Sequence, residues 1–128
     1  MAVAKSALKC LVADDEPQIG SLIRDALARQ GYTCDIVLNG EQATRKLTDG
    51  DYSLVVTDVM MPFKTGVELL HELRARGQKI PVVLMSSYLS EEILTSCKGV
   101  EHLAFLQKPF SLEDLRLAIE RASSSVRC

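Results

Sequence analysis

Five short apolar runs, separated by stretches with helical hydrophobic spacing, constrain this chain most: Cys10-Leu11-Val12-Ala13, Thr33 to Leu38, Leu54-Val55-Val56-Thr57, Val82-Val83-Leu84-Met85 and Leu103-Ala104-Phe105-Leu106. Runs this short have the length of strands rather than of helices. After the first, Ile19, Leu22, Ile23, Ala26 and Leu27 recur at i, i+3, i+4, i+7 and i+8, the apolar stripe of an amphipathic helix. Pro17 suits that helix's first turn and Gly31 its stop. Gly40 to Leu47 reads as a short helix with Ala43 and Leu47 inward, and Gly66 to Ala75 as a third carrying Val67, Leu70 and Leu73. Ser90 to Lys98, with Glu91 and Glu92 in its first turn, makes a fourth that Gly99 stops. Ser111 and Asp114 form an N-terminal capping pattern for a fifth, whose buried side is Leu112, Leu115, Ile119 and Ala122. Strand then helix, five times over, is the pattern of an α/β fold with a parallel sheet.

Four of the runs end in residues chemically unlike them: Asp14-Asp15, Asp58, Ser86 and Lys108. In a parallel sheet the carboxyl ends of the strands share one edge, and ligands bind beyond it where the strand order reverses. Three acids, a hydroxyl and an ammonium meeting there make a cation and phosphoryl site. A bare phosphate would be repelled by three carboxylates. Mg²⁺, a hard cation that takes oxygen ligands, reverses that sign and leaves Lys108 and Ser86 to contact the remaining phosphoryl oxygens. Each residue alone has a plainer explanation. The acidic pair would suit the start of the first helix, Ser86 and Ser87 a polar loop, and Lys108 a solvated surface. Asp58 is harder to explain so, because a carboxylate closing an apolar strand is partly desolvated and needs a partner. The conjunction of all of them outweighs the separate explanations.

Composition agrees with one small domain: 128 residues, 47% hydrophobic and a net charge of -2 are ordinary for a globular chain, and no linker or repeat divides it. The basic residues are dispersed among acids, so no nucleic-acid face is expected. No apolar run approaches a membrane span or a signal peptide, and a soluble cytoplasmic protein is expected. Cys10, Cys34, Cys97 and Cys128 match neither a metal-ligand spacing nor a disulfide framework, and are expected to be structural free thiols. His71 and His102 are expected to be ordinary, partly exposed histidines.

The motifs Leu11-Val12-Ala13-Asp14-Asp15-Glu16, Asp58-Val59-Met60-Met61-Pro62 with Gly66, Pro81-Val82-Val83-Leu84-Met85-Ser86 and Lys108-Pro109-Phe110 stand in this order and spacing. Together they make the chain resemble the receiver domain of two-component response regulators over nearly its whole length. The resemblance implies one receiver domain over residues 1–128, with a core of about 7–123. It also implies a flavodoxin-like parallel sheet of order 2-1-3-4-5 with helices on both faces, and Mg²⁺ as cofactor. Asp58 would be the phosphoacceptor, receiving its phosphoryl group from a histidine kinase or histidine phosphotransfer protein. Asp15 and Asp58 would ligate the metal directly, Asp14 through water, and the backbone carbonyl of Met60 would add a further ligand. Lys108, before a cis proline, would pair with the phosphoryl oxygens, and Ser86 would hydrogen-bond to one of them. Phe105 would be the switch aromatic, turning inward as Ser86 moves, with a phenylalanine where tyrosine is commoner. Met60 and Tyr88 fall at the positions that tune access of water to the phosphoryl group.

Other chemistries fit less well. A dehalogenase-like phosphatase needs a second aspartate two residues after the nucleophile, where this chain has Met60; a flavodoxin-like cofactor binder wants a hydroxyl- and glycine-rich loop where it has Asp14-Asp15-Glu16. A phosphorylation-independent pseudo-receiver lacks one of the acids or the lysine, and all are present. The chain is thus expected to catalyse only its own phosphorylation and dephosphorylation. Few residues follow the last helix, so output is expected through protein contacts or a further domain of a longer regulator. The signalling face, for a downstream partner or a second copy, is expected on the fourth helix, fifth strand and fifth helix.

Overall fold

A computed structural model describes residues 8–124. Strands β1 (Leu8–Ala13), β2 (Tyr32–Val37), β3 (Leu54–Asp58), β4 (Val82–Ser86) and β5 (Leu103–Gln107) alternate with helices α1 (Pro17–Ala28), α2 (Gly40–Asp49), α3 (Gly66–Ala75), α4 (Glu91–Ser96) and α5 (Leu112–Ser123). All four strand pairings are parallel, and the order is β2-β1-β3-β4-β5, as the sequence predicts.

Strand alternation divides the core into two. Leu11, Ala13, Val55 and Leu84 point to one face, packed with Leu47 of α2 and Leu69, Leu70 and Leu73 of α3. Cys10, Val12, Val56 and Met85 point to the other, packed with Ile23 and Leu27 of α1 and Leu115 and Ile119 of α5. Both faces of the central strands are therefore dry, which is why β3 and β4 read as continuous apolar runs.

Local chemistry sets the helix ends. Ser111 accepts from the Asp114 amide while the Asp114 carboxylate accepts from the Ser111 amide, a complete capping box with aspartate in place of glutamate. Thr65 and Glu68 form another at α3, which the Thr-x-x-Glu spacing could have announced. Gly31, at φ 92°, turns the chain out of α1.

Several elements depart from the expected pattern. Leu22 and Leu112, assigned to buried stripes, are 45% and 51% exposed. The buried line of α1 runs through Gly20, Ile23 and Leu27, and a Cβ at Gly20 would meet Ile36 at 2.8 Å. A glycine carries no hydrophobic weight in a spacing argument, yet this close approach fixes the helix's rotation and turns Leu22 outward. Leu112 opens α5 a turn before its buried residues begin. Leu69, absent from the expected stripe of α3, is buried. Strand β2 begins and ends one residue earlier than expected, and α4 spans only Glu91–Ser96, with Ser90 as its N-cap.

Candidate functional site

The carboxyl edge of the sheet brings the predicted residues together. Asp14 follows β1 and has no exposed surface; its amide donates to the Val37 carbonyl, which extends the β1–β2 ladder by one rung. Its Oδ1 accepts from the Glu16 amide at 2.9 Å, so the carboxylate is fixed by the turn into α1. Neither aspartate is the N-cap of α1: that position is Glu16, and it makes no side-chain cap. Asp58 closes β3, 7% exposed, and its Oδ1 accepts from the Met60 amide at 3.3 Å. Gly66 lets α3 start directly behind it, since a Cβ there would collide with the Asp58 carbonyl.

Lys108 joins these strands. Its amide donates to the Ser86 carbonyl at 2.8 Å, its bond to Pro109 is cis, and its Nζ reaches back across the sheet edge. That Nζ lies 2.8 Å from Asp14 Oδ2, 2.9 Å from Asp58 Oδ2 and 3.3 Å from Glu16 Oε1. The ammonium's three protons thus meet three carboxylates. Burial pushes the Lys108 ammonium pKa down, but the bonds to Asp14 and Asp58 outweigh it and the net direction is up. Asp14 is shifted upward because burial disfavours its charge more than the Lys108 and Glu16 contacts favour it. Glu16 had no assigned part in the sequence reading; a third carboxylate on one lysine has no signal in spacing alone.

Asp14, Asp15 and Asp58 each offer a carboxylate oxygen, all within 4.8 Å of one another, with Asp15 exposed to solvent. Hard oxygen donors on a cleft open to water fit a small divalent cation such as Mg²⁺, and three carboxylates converge there on the single ammonium of Lys108, beside an exposed Asp15. The cleft, about 590 Å³, is lined by Asp15, Glu16, Asp58, Met60, Ser86, Tyr88 and Lys108 among others. Met60 and Tyr88 stand at its mouth, 69% and 75% exposed.

Ser86 lies on the cleft wall but faces elsewhere. Its Oγ donates to the Tyr88 carbonyl at 2.8 Å and accepts from the Tyr88 amide at 3.1 Å, a closed turn that occupies the hydroxyl. Phe105 is half-buried on β5, packed against the core and bordering a groove with α5. The loop after β3 is tied down by Lys64, whose Nζ donates to Thr44 Oγ1 at 2.7 Å and Glu72 Oε2 at 2.6 Å. Phe63 in that loop holds φ 72° while 78% exposed. Among the described residues no helix is long and apolar enough to cross a membrane.

Fold and site together define a doubly wound parallel sheet with an acidic, lysine-bridged pocket at its switch point, the build of a phosphoacceptor signalling domain. The model of the response regulator receiver domain matches residues 10–120, and the chain belongs to that family. Among curated proteins it is 35% identical to the transcriptional regulatory protein RprY of Bacteroides fragilis over 94% of this chain and 51% of that one. It is 34% identical to the DNA-binding transcriptional regulator NtrC of Azospirillum brasilense over 94% of this chain and 25% of that one. The chain thus spans between a quarter and a half of these relatives. Among solved structures, the chemotaxis response regulator CheY4 of Vibrio cholerae superposes with a TM-score of 0.80 at 27% identity, over 91% of this chain and 99% of that one. TrrA of Thermotoga maritima, solved in complex with Mg²⁺ and BeF, gives 0.78 at 30% identity, over 90% and 98%.

Proposed function

We propose that this receiver takes a phosphoryl group on Asp58 from a histidine kinase or a histidine phosphotransfer protein. The carboxylate oxygen attacks phosphorus, a P–O bond forms, the P–N bond to imidazole breaks, and the imidazole leaves with its electron pair. The observation that carries this reading is the ammonium of Lys108 bridging Asp14 and Asp58, residues 94 and 50 positions away in the chain. A cation held at the phosphoacceptor is positioned to take up charge that develops on the transferring oxygens.

Mg²⁺ would be held by Asp15 and Asp58, by Asp14 through water and by the Met60 carbonyl, and it would neutralise the pocket toward an incoming dianion. TrrA, the relative solved with Mg²⁺ and BeF, supports that assignment. Ser86 exchanges its bond to the Tyr88 carbonyl for a phosphoryl oxygen, Phe105 follows it inward, and the α4–β5–α5 face changes for a downstream partner or a second copy. The domain itself touches neither nucleic acid nor membrane, although relatives named as DNA-binding regulators carry further chain. Residues 1–128 act as one cytoplasmic receiver unit that turns over no substrate other than its own phosphoaspartate.

The deciding experiment is intact-mass analysis after incubation with acetyl phosphate and Mg²⁺. The parent should gain one phosphoryl group and Asp58→Asn none; a phosphorylated Asp58→Asn protein overturns the assignment.

A further inference from the structure

Two of the cysteines are not independent core thiols. Cys10 on β1 and Cys34 on β2 are register partners in adjacent parallel strands, so both side chains leave the same face of the sheet side by side. Neighbouring strands run about 4.8 Å apart, inside the range of roughly 4.4–6.8 Å that Cα atoms of a disulfide span. The Cys10 thiol donates to the Leu11 carbonyl at 3.7 Å, and each thiol perturbs the ionisation of the other. The surroundings make the two unequal. Cys10 has no exposed surface, whereas Cys34 is half-buried on β2, which is the edge of the sheet among the described residues.

We propose that Cys10 and Cys34 form an oxidisable dithiol pair, in which Cys34 reacts with a peroxide-class oxidant and Cys10 resolves the product as an intrachain disulfide between β1 and β2. In the first step the Cys34 thiolate attacks hydrogen peroxide. An S–O bond forms, the O–O bond breaks and hydroxide leaves, so the sulfur is oxidised by two electrons to a sulfenic acid. In the second the Cys10 sulfur attacks the Cys34 sulfur, an S–S bond forms and the S–O bond breaks. The departing hydroxide takes the Cys10 proton as water. Two thiols and one peroxide give one disulfide and two waters.

Electrostatics assign the roles in the same direction. The neighbouring Cys10 thiol lowers the Cys34 pKa and the Arg24 guanidinium adds to this, outweighing burial and Asp35. The neighbouring Cys34 thiol and burial both raise that of Cys10. The thiolate is the nucleophile, so attack starts at the more accessible sulfur. Cys97 is the internal contrast: it is fully buried, and desolvation raises its pKa more than Ser96 lowers it. Short-lived bridges of this kind are the ones that a reducing compartment permits.

The test uses the full chain with Cys128→Ser, which removes a thiol outside the described residues. After treatment of the folded protein with hydrogen peroxide and alkylation of remaining thiols, a non-reducing digest should contain a peptide joining Cys10 to Cys34, lost on dithiothreitol treatment. Cys10→Ala should instead leave a sulfenic acid on Cys34 that a cyclic 1,3-dione captures, and Cys34→Ser should give neither product. The parent's linked peptide decides the matter even if Cys10→Ala folds poorly. A bridge that includes Cys97, or a Cys34 still fully alkylated at peroxide doses that consume free glutathione, overturns the proposal.

Discussion

Lys108 Nζ sits 2.8 Å from Asp14 Oδ2, a carboxylate with no exposed surface, so one buried charge is matched by one cation beside a pocket lined by four further acids, Asp15, Glu16, Asp58 and Glu92. That imbalance has a pH signature. The Asp14 pKa is raised in the folded protein, burial being the largest cause. The native state therefore holds that proton more tightly than the unfolded chain, and stability falls as pH rises from the unfolded carboxyl value, about 3.9, through the raised folded value. In metal-free buffer Asp14→Asn should melt above the parent at neutral pH, with the gap opening across that acidic window. Thermal melts with a chelator present, run as a pH series, check this. A gap that stays flat or narrows toward neutrality contradicts it.

The same imbalance predicts a metal response. Mg²⁺ held by the folded pocket alone should raise the melting temperature by mass action, about 2.7 kcal/mol at a hundredfold excess over Kd. Asp15→Ala should erase most of that gain, because Asp15 is the exposed member of the triad and needs no other partner to be broken. An equal rise in both proteins would count against the ligand assignment.

Glu16 is the third carboxylate on Lys108, at 3.3 Å with its side chain half exposed. Exposed pairs contribute only about 0.2–1 kcal/mol, so Glu16→Gln should leave stability nearly unchanged. It should, however, speed phosphorylation by a dianionic small donor. A charge of minus two passing about 6 Å from Glu16 in water meets on the order of 1 kcal/mol of repulsion, a several-fold effect. Rates with acetyl phosphate against the monoanion phosphoramidate separate this from a structural change, because only the dianion should gain. Equal acceleration with both donors refutes it.

Phe63 is held at φ 72° with 78% of its surface exposed, so it bears backbone strain with little packing to offset it. A left-handed non-glycine residue costs roughly 1–2 kcal/mol. Phe63→Gly should therefore stabilise the protein by about 1 kcal/mol, after the greater freedom of unfolded glycine is set against the relief. Denaturant melts measure it, and a destabilised variant would mean that the exposed ring makes contacts that matter.

The fold was legible because its dry strands leave an unmistakable pattern: β3 and β4 are apolar on both faces and end in Asp58 and Ser86. Asp14, Asp58 and Lys108 were legible for the same reason, each being a charge at the end of an apolar run. What escaped was set by contacts between distant residues or by residues without side chains. Gly20 rotates α1 through its approach to Ile36, Glu16 reaches Lys108 across 92 positions, and the Cys10–Cys34 pairing needs the strand register. The orientation of the Ser86 hydroxyl toward Tyr88 is a choice between two acceptors that no spacing encodes.

That orientation bears on the lifetime of the phosphorylated state. Water must approach phosphorus opposite Asp58, through the cleft mouth where Met60 and Tyr88 stand. The thioether of Met60 is a poor acceptor and does not orient water. Tyr88 is fixed at its backbone by both bonds to Ser86, while its ring remains mostly exposed beside the approach. A Ser86 turned to the phosphoryl group would leave the Tyr88 carbonyl and amide without their partner and the ring freer to move over the opening. Neither side chain supplies a polar pair that would position a nucleophile, so self-dephosphorylation should be slow. Combining Met60→Asn with Tyr88→Glu puts an amide and a carboxylate at the mouth and should accelerate loss on the order of tenfold, about 1.4 kcal/mol of barrier. Phosphoryl decay in excess Mg²⁺, followed by intact mass, compares the two proteins directly. A double variant that decays no faster than the parent would show that these side chains do not control water's access.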